Sequence, residues 1–172
     1  MASLMENLIS VLRSENEEYQ QLLELSKKKT PVIVEGKIEE LQRITDEEQS
    51  VVARINRLDS QREEVVKDIA NVLNKDVTTL KLVNIIQMLD TRPGEQQELA
   101  KVHDDLRMTV MQMKTINDRN RELINNSREM VAFDINLLHS MKSAPQTANY
   151  TKGAYNSGAV MGVESGGFDA KQ

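Results

Sequence analysis

The sequence predicts an all-α fold: an elongated antiparallel helical bundle with two long helices, one medium and one short helix, followed by a disordered C-terminal tail. Three observations predict it. Apolar residues recur at 3–4 spacing over long stretches, which is helical periodicity. Proline and glycine are confined to the joints and the tail. Aromatic residues make up only 3% of the chain, so any core must be built from Leu, Ile, Val and Met along narrow seams. The expected organisation is a helical domain over residues 1–142 and a flexible, glycine-rich tail over 143–172.

The first helix is expected from Ala2 to Lys29, with Met5, Leu8, Leu12, Tyr19, Leu22 and Leu23 on one face and a Ser3/Glu6 capping box at its start. The run Lys27–Lys29 would close it, cations meeting the negative end of the helix dipole. Thr30-Pro31 reads as a break, with Thr30 an N-cap and Pro31 the first residue of the next helix.

The second helix is expected from Pro31 to Leu73, following Val34, Ile38, Leu41, Thr45, Val52, Ile55, Val66, Ile69 and Leu73. Gly36 would delay or kink its start. At 1.5 Å per residue it would span ~65 Å and could be stable only against partners. The run LKLVNIIQML, Leu80–Leu89, is apolar almost all round and reads as a short buried helix or a cap over a bundle end. The fourth helix, expected from Glu95 to Lys142, keeps its 3–4 register from Leu99 to Met141 and would span ~72 Å. It matches the second helix in length, and the two form the expected spine.

Composition excludes several classes of function. A formal net charge of −5 and a pI near 5.2 argue against nucleic-acid binding through a basic surface. No apolar run approaches the ~18 residues of a membrane span, so no membrane insertion is expected. The N-terminus lacks the basic flank and long apolar stretch of a secretory signal. Without cysteine there is no disulfide or thiolate metal site, which fits a reducing compartment.

Catalytic chemistry has no foothold. The two histidines, His103 and His139, stand without the Glu-x-x-His or His-x-x-x-His pairing that builds metal sites in helical bundles. In HDDL (103–106) the carboxylates point about 100° away from one another around the helix and do not converge on an ion. No phosphate loop or nucleophile motif occurs. The expectation is a protein that is not an enzyme, with no metal and no cofactor.

Irregularities in the last helix carry more. Asn120, Ser127 and Asp134 fall seven residues apart on its core stripe, where polar residues fix register or mark an incompletely covered face. Met108 and Met111 lie off the main seam and could line a docking groove or pack on the short helix. Near the end, Met130, Val131, Phe133, Leu137, Leu138 and Met141 cover more than one seam's width.

The order of elements resembles the FlgN-type flagellar export chaperones. The resemblance rests on a Leu-rich first helix carrying Tyr19 and on the junction LLELSKKKTPVIV (22–34). It continues in the short apolar LVNIIQML (82–89) and in the long last helix with INDRNRELINNSREM (116–130). It implies a cytoplasmic, non-enzymatic chaperone of flagellar type III secretion. Such a protein binds C-terminal amphipathic helices of hook-associated proteins, the hook–filament junction, and brings them to the export gate. Family binding centres on the C-terminal part, which by position falls on Met130, Val131, Phe133, Leu137, Leu138 and Met141.

The tail from Asn149 holds five of the seven glycines, with Tyr150, Tyr155 and Phe168 among them. A pure spacer needs no rings, so Tyr150 and Tyr155 are candidate anchors for cargo or gate. Monomer and homodimer are both compatible with the sequence. The rival reading is a structural coiled-coil protein that self-associates through the same seams.

Overall fold

A computed structural model describes residues 2–143. Helix α1 (Ala2–Glu35) starts before Ser3, so Ser3 is inside the helix and does not cap it. It buries Met5, Leu8, Ile9, Leu12, Leu22, Leu23 and Leu25. It also runs straight through Pro31, where a break was expected. Proline removes one backbone donor and crowds the carbonyl four residues back, a cost of ~3 kcal/mol within a helix. Here Pro31 is exposed, whereas Val32 and Ile33 just beyond it are buried and draw the chain on in helical form.

The stop comes at Gly36, with φ +68°. Its N–H donates to the Ile33 carbonyl at 3.2 Å and the Lys37 N–H to the Val32 carbonyl at 3.1 Å. This pair of bonds is a Schellman closure, and glycine adopts that φ without the penalty a Cβ brings. The basic run is therefore not a helix terminus. Lys27 pairs with Glu24, and Lys29 donates to Glu48 Oε2 at 2.8 Å across to the next helix.

Helix α2 (Ile38–Leu73) is thus nearly matched in length by α1, at 36 and 34 residues. It ends on a second Schellman closure, with Asn74 left-handed at φ 51° and Lys75 N–H donating to the Ala70 carbonyl at 2.9 Å. Asp76 then caps a 3-10 turn, Val77–Thr79, its carboxylate accepting from both the N–H and the hydroxyl of Thr78 at 2.9 Å. Those hydrogen bonds hold its carboxyl below the ordinary value.

Helix α3 (Leu82–Met88) is the expected end cap. Leu80, Ile85 and Leu89 pack with Met5, Leu8 and Leu12 of α1, with Ile69 and Ala70 of α2, and with Leu99, Val102 and Leu106 of the next helix. That helix, α4 (Pro93–Ser143), begins with proline at its first position, where no donor is lost. The Gln96 amide fastens it to the Ile86 carbonyl of α3 at 2.9 Å.

The chain divides after Met130. In the first unit the long helices run up, down and up. Low-numbered residues of α1 meet the end of α2 and the start of α4, and Ser26 meets Asn120. All described elements are helical, as expected; the expected disordered tail lies outside the described residues.

The core has two apolar clusters. The first is the capped end just described; the second joins Leu22, Leu25 and Val32 to Ile44, Val51 and Ile55. Between them lies a polar layer containing Glu15, Asn16, Arg62 and Thr109, bridged by Tyr19, which packs on both clusters. Glu15 is 2% exposed, and its Oε1 has no hydrogen-bond partner. Arg62 Nε stands 3.5 Å away, drawn also toward Asp59. Burial pushes the Glu15 carboxyl above its ordinary value of 4.5, Arg62 pulls it down and Asp59 pushes it up, and burial wins.

Two stability predictions follow from these joints and this layer. Gly36→Ala should cost about 1 kcal/mol through backbone strain alone, since a Cβ there meets nothing within 4 Å. Pro31→Ala should act oppositely, gaining about 1–2 kcal/mol by restoring a helical donor. Urea denaturation of both variants checks the pair; a destabilised Pro31→Ala would show that the proline fits this helix without cost. For Glu15, the folded carboxyl value lies above the unfolded one, so its ionised form lowers stability at higher pH and the penalty disappears on acidification. Glu15→Gln should therefore exceed wild type in stability at pH 7. The difference should shrink as pH falls from the raised folded value toward 4.5. A difference that stays constant with pH would contradict this.

Candidate partner-binding surface

The inward stripe of α4 changes character along its length. Leu99, Val102, Leu106 and Thr109 are buried, and Asn120 at 3% exposure is the last buried residue. Leu123 and Ile124 are half-covered, and from Asn125 to Lys142 every residue is exposed. The cause is the position of the α1–α2 turn. Asn120 already lies beside Ser26 and Thr30, and one further heptad along α4 brings it level with the turn at Gly36.

Each polar residue on the covered part of the stripe is answered by α1. The Thr109 hydroxyl lies 2.8 Å from Asn16 Oδ1. The Asn120 amide donates to the Ser26 carbonyl at 2.8 Å, and its Oδ1 accepts from the Thr30 hydroxyl at 2.7 Å. Asn120 is thus a register lock. Ser127, seven residues on, is exposed and donates only to the Leu123 carbonyl of its own helix, and Asp134 is exposed.

The second unit begins at Val131, and its described part is the last stretch of α4. All six expected positions on α4 are exposed: Met130, Val131, Phe133, Leu137, Leu138 and Met141, with Met141 at 68% and Phe133 at 66%. At 100° per residue, Met130, Phe133, Leu137 and Met141 share one line of the helix surface, and Val131 and Leu138 form a neighbouring line. Ile135, also exposed, extends the second line. It was passed over because it lies off the main seam, although its spacing of four from Val131 was a usable signal. Tyr150 and Tyr155 lie outside the described residues.

Other features offer less. Met108 and Met111 are each 60% exposed and belong to neither core cluster, so α3 does not cover them. A groove of about 700 Å³ between α1 and α2 is walled by Glu17, Glu24, Lys28, Glu47 and Arg54, and Arg54 is held by Glu18 at 2.9 Å. His103 Nδ1 meets only the adjacent Asp104, at 3.1 Å. Among the described residues no group of three potential ligands could hold a metal ion, and no helix is long and apolar enough to cross a membrane.

With an end-capped helical bundle whose last helix carries an uncovered apolar stretch, the family comparison becomes informative. The family model described as FlgN protein matches residues 1–157. The chain belongs to the FlgN family. It is accordingly a flagellar export chaperone, of a family whose members bind flagellar export substrates. No curated protein and no solved structure matches it. The FlgN match takes in every helix among the described residues, with the whole exposed end of α4, and continues in sequence past Tyr150 and Tyr155.

The burial gradient along α4 of this FlgN-family chain predicts a contrast in stability. Asn120→Ala should cost about 1–3 kcal/mol, because Thr30 and Ser26 lose buried partners. Leu137→Ser, on the exposed stretch, should stay within about 0.5 kcal/mol of wild type. Thermal or urea unfolding of the two variants side by side checks this; equal losses would mean that the stretch is covered in solution.

Proposed function

We propose that this chain is a cytoplasmic, non-enzymatic chaperone that binds C-terminal amphipathic helices of hook-associated proteins and delivers them to the export gate. The observation that carries the reading is the run of exposed apolar side chains from Val131 to Met141 on a formed helix. A subunit that will later pack its terminal helices into a filament must keep an apolar stripe from associating too early. A second amphipathic helix is the simplest reversible cover for it. The magnitudes suit the task. Fully burying a Leu, Met or Phe side chain is worth ~1.5–3 kcal/mol, so a few of them supply much of the ~8 kcal/mol of a micromolar complex. Association costs keep the total from becoming irreversible.

In this reading Met130, Val131, Phe133, Leu137, Leu138 and Met141 form the cargo-binding surface, with Ile135 beside them. Tyr150 and Tyr155 act as further anchors for cargo or gate, tyrosine giving a large contact area at low entropic cost. A homodimer is compatible with this role, provided that cargo displaces the second copy from the shared stripe.

Co-purification with full-length and C-terminally truncated hook-associated proteins tests the proposal. Full-length cargo should be captured and truncated cargo should not. Leu137→Asp combined with Leu138→Asp should reduce capture at least tenfold without loss of helical circular dichroism. Deleting residues 144–172 should weaken capture while leaving the helical bundle folded. Capture that ignores truncation of the cargo would refute the helix-to-helix mechanism. Growth of molar mass into long assemblies with concentration would favour a self-associating coiled coil instead.

A further inference from the structure

The apolar stretch at the end of α4 is not uniform. Asp134 stands at its centre: the residues three and four positions away along the helix are Met130, Val131, Leu137 and Leu138, all apolar and all exposed. At 100° per residue it falls between the line of Phe133, Leu137 and Met141 and the line of Val131, Leu138 and Ile135. None of its neighbours at helical contact spacing carries a positive charge, so its own helix gives it no counter-ion. A helix lying on this surface must cover the carboxylate or answer it.

Covering it unanswered is costly, since a desolvated carboxylate without a partner loses its hydration and gains nothing. The covered part of α4 shows how the chain treats polar residues on this stripe. Thr109 is met by Asn16, and Asn120 by Ser26 and Thr30, each a group placed across the interface at 2.7–2.8 Å. An amide or hydroxyl can be answered by neutral groups. A carboxylate accepts only, and the donors that best offset its desolvation are cationic.

We infer that Asp134 is the specificity-determining residue of this surface: it selects a cargo helix that carries a lysine or arginine within its apolar stripe. The inference rests on the reading of α4 as the cargo-binding helix and adds the chemistry that separates accepted from rejected helices. A helix with a continuous aliphatic stripe would bury Asp134 unpaired. One with a glutamate at the facing position would place two carboxylates together, a strong rejection. Charge opposition also disfavours a second copy as the preferred occupant, because each copy would bring its own Asp134 to the shared apolar surface.

The test uses the full chain and a panel of labelled helical peptides, identical in their Leu stripe except for one central position occupied by Lys, Leu or Glu. Binding is followed by fluorescence anisotropy. Wild type should favour the Lys peptide over the Glu peptide by about tenfold or more. Asp134→Lys should reverse that order, Asp134→Asn should flatten it, and Asp134→Glu should keep it. The same ranking in all four proteins would overturn the inference while leaving the cargo-binding reading intact. Failure of wild type to bind any peptide and any full-length hook-associated protein would overturn both. Light scattering supplies a second arm: if Asp134→Asn shifts the chain from monomer to dimer and gains no tolerance for the Leu peptide, the surface is built for a second copy and the inference fails.

Discussion

Gly36, at φ +68°, permits the closure that ends α1 at Glu35 and begins α2 at Ile38, and the position of that turn decides how much of α4 can be covered. With the turn six residues earlier, at Thr30-Pro31, Asn120 would lie level with the turn itself rather than within the covered part, and the exposed stretch would begin sooner. Where it stands, α1 and α2 reach just far enough to lock Asn120, and cover ends within the following heptad. The boundary between the structural and the available parts of α4 is set by one left-handed residue some ninety positions away in sequence.

That boundary would mean little if the helices could slide. An all-aliphatic seam of Leu, Ile and Val tolerates shifts by a heptad, because one apolar layer resembles the next. Here the polar layer of Glu15, Asn16 and Thr109, and the later lock at Asn120, break the degeneracy. A one-heptad slip of α4 would leave several of these groups buried and unpaired, at ~1–3 kcal/mol each. Glu15 is the expensive member of the set, burying an oxygen without a donor. Retaining it fits a role in register more readily than one in stability.

Much of this fold was legible in the sequence, for identifiable reasons. The apolar periodicity found α4 to within two residues at each end and the end of α2 at Leu73. The apolarity of Leu80–Leu89 named the end cap, although within α3 only Ile85 is buried and Val83 and Met88 are exposed. The joint was misplaced because two stop signals, Pro31 and Gly36, stand five residues apart and sequence does not rank them. Proline forfeits one hydrogen bond and can be overruled by buried Val32 and Ile33, whereas the positive φ of the closure strongly favours glycine. Glu15 could have been found, for it continues the Leu8, Leu12, Tyr19, Leu22 stripe. Acidic neighbours on both sides of Asn16 disguised it as part of a solvated run. The apolar end of α4 was visible as an excess of large side chains, but whether they are covered depends on where α1 ends, which periodicity cannot say.

A stretch of about three turns carrying six large apolar side chains would not hold a helix by itself in water, since nucleation is costly and short helices are marginal. In α4 the nucleation is already done. The covered part, from Leu99 to Asn120, fixes the helix, and each residue beyond only extends it, with Lys142 placed favourably in the last turn. The end of α4 is therefore a preformed helix, and on the proposed reading an incoming amphipathic helix need not supply the ordering of both partners, which is where much of the cost of coupled folding and binding lies. The same arrangement exposes apolar surface continuously, a liability in any chain that waits for its partner. Asp134, seated in the middle of that surface, lessens the liability without removing the surface: it penalises any cover that lacks a matching cation.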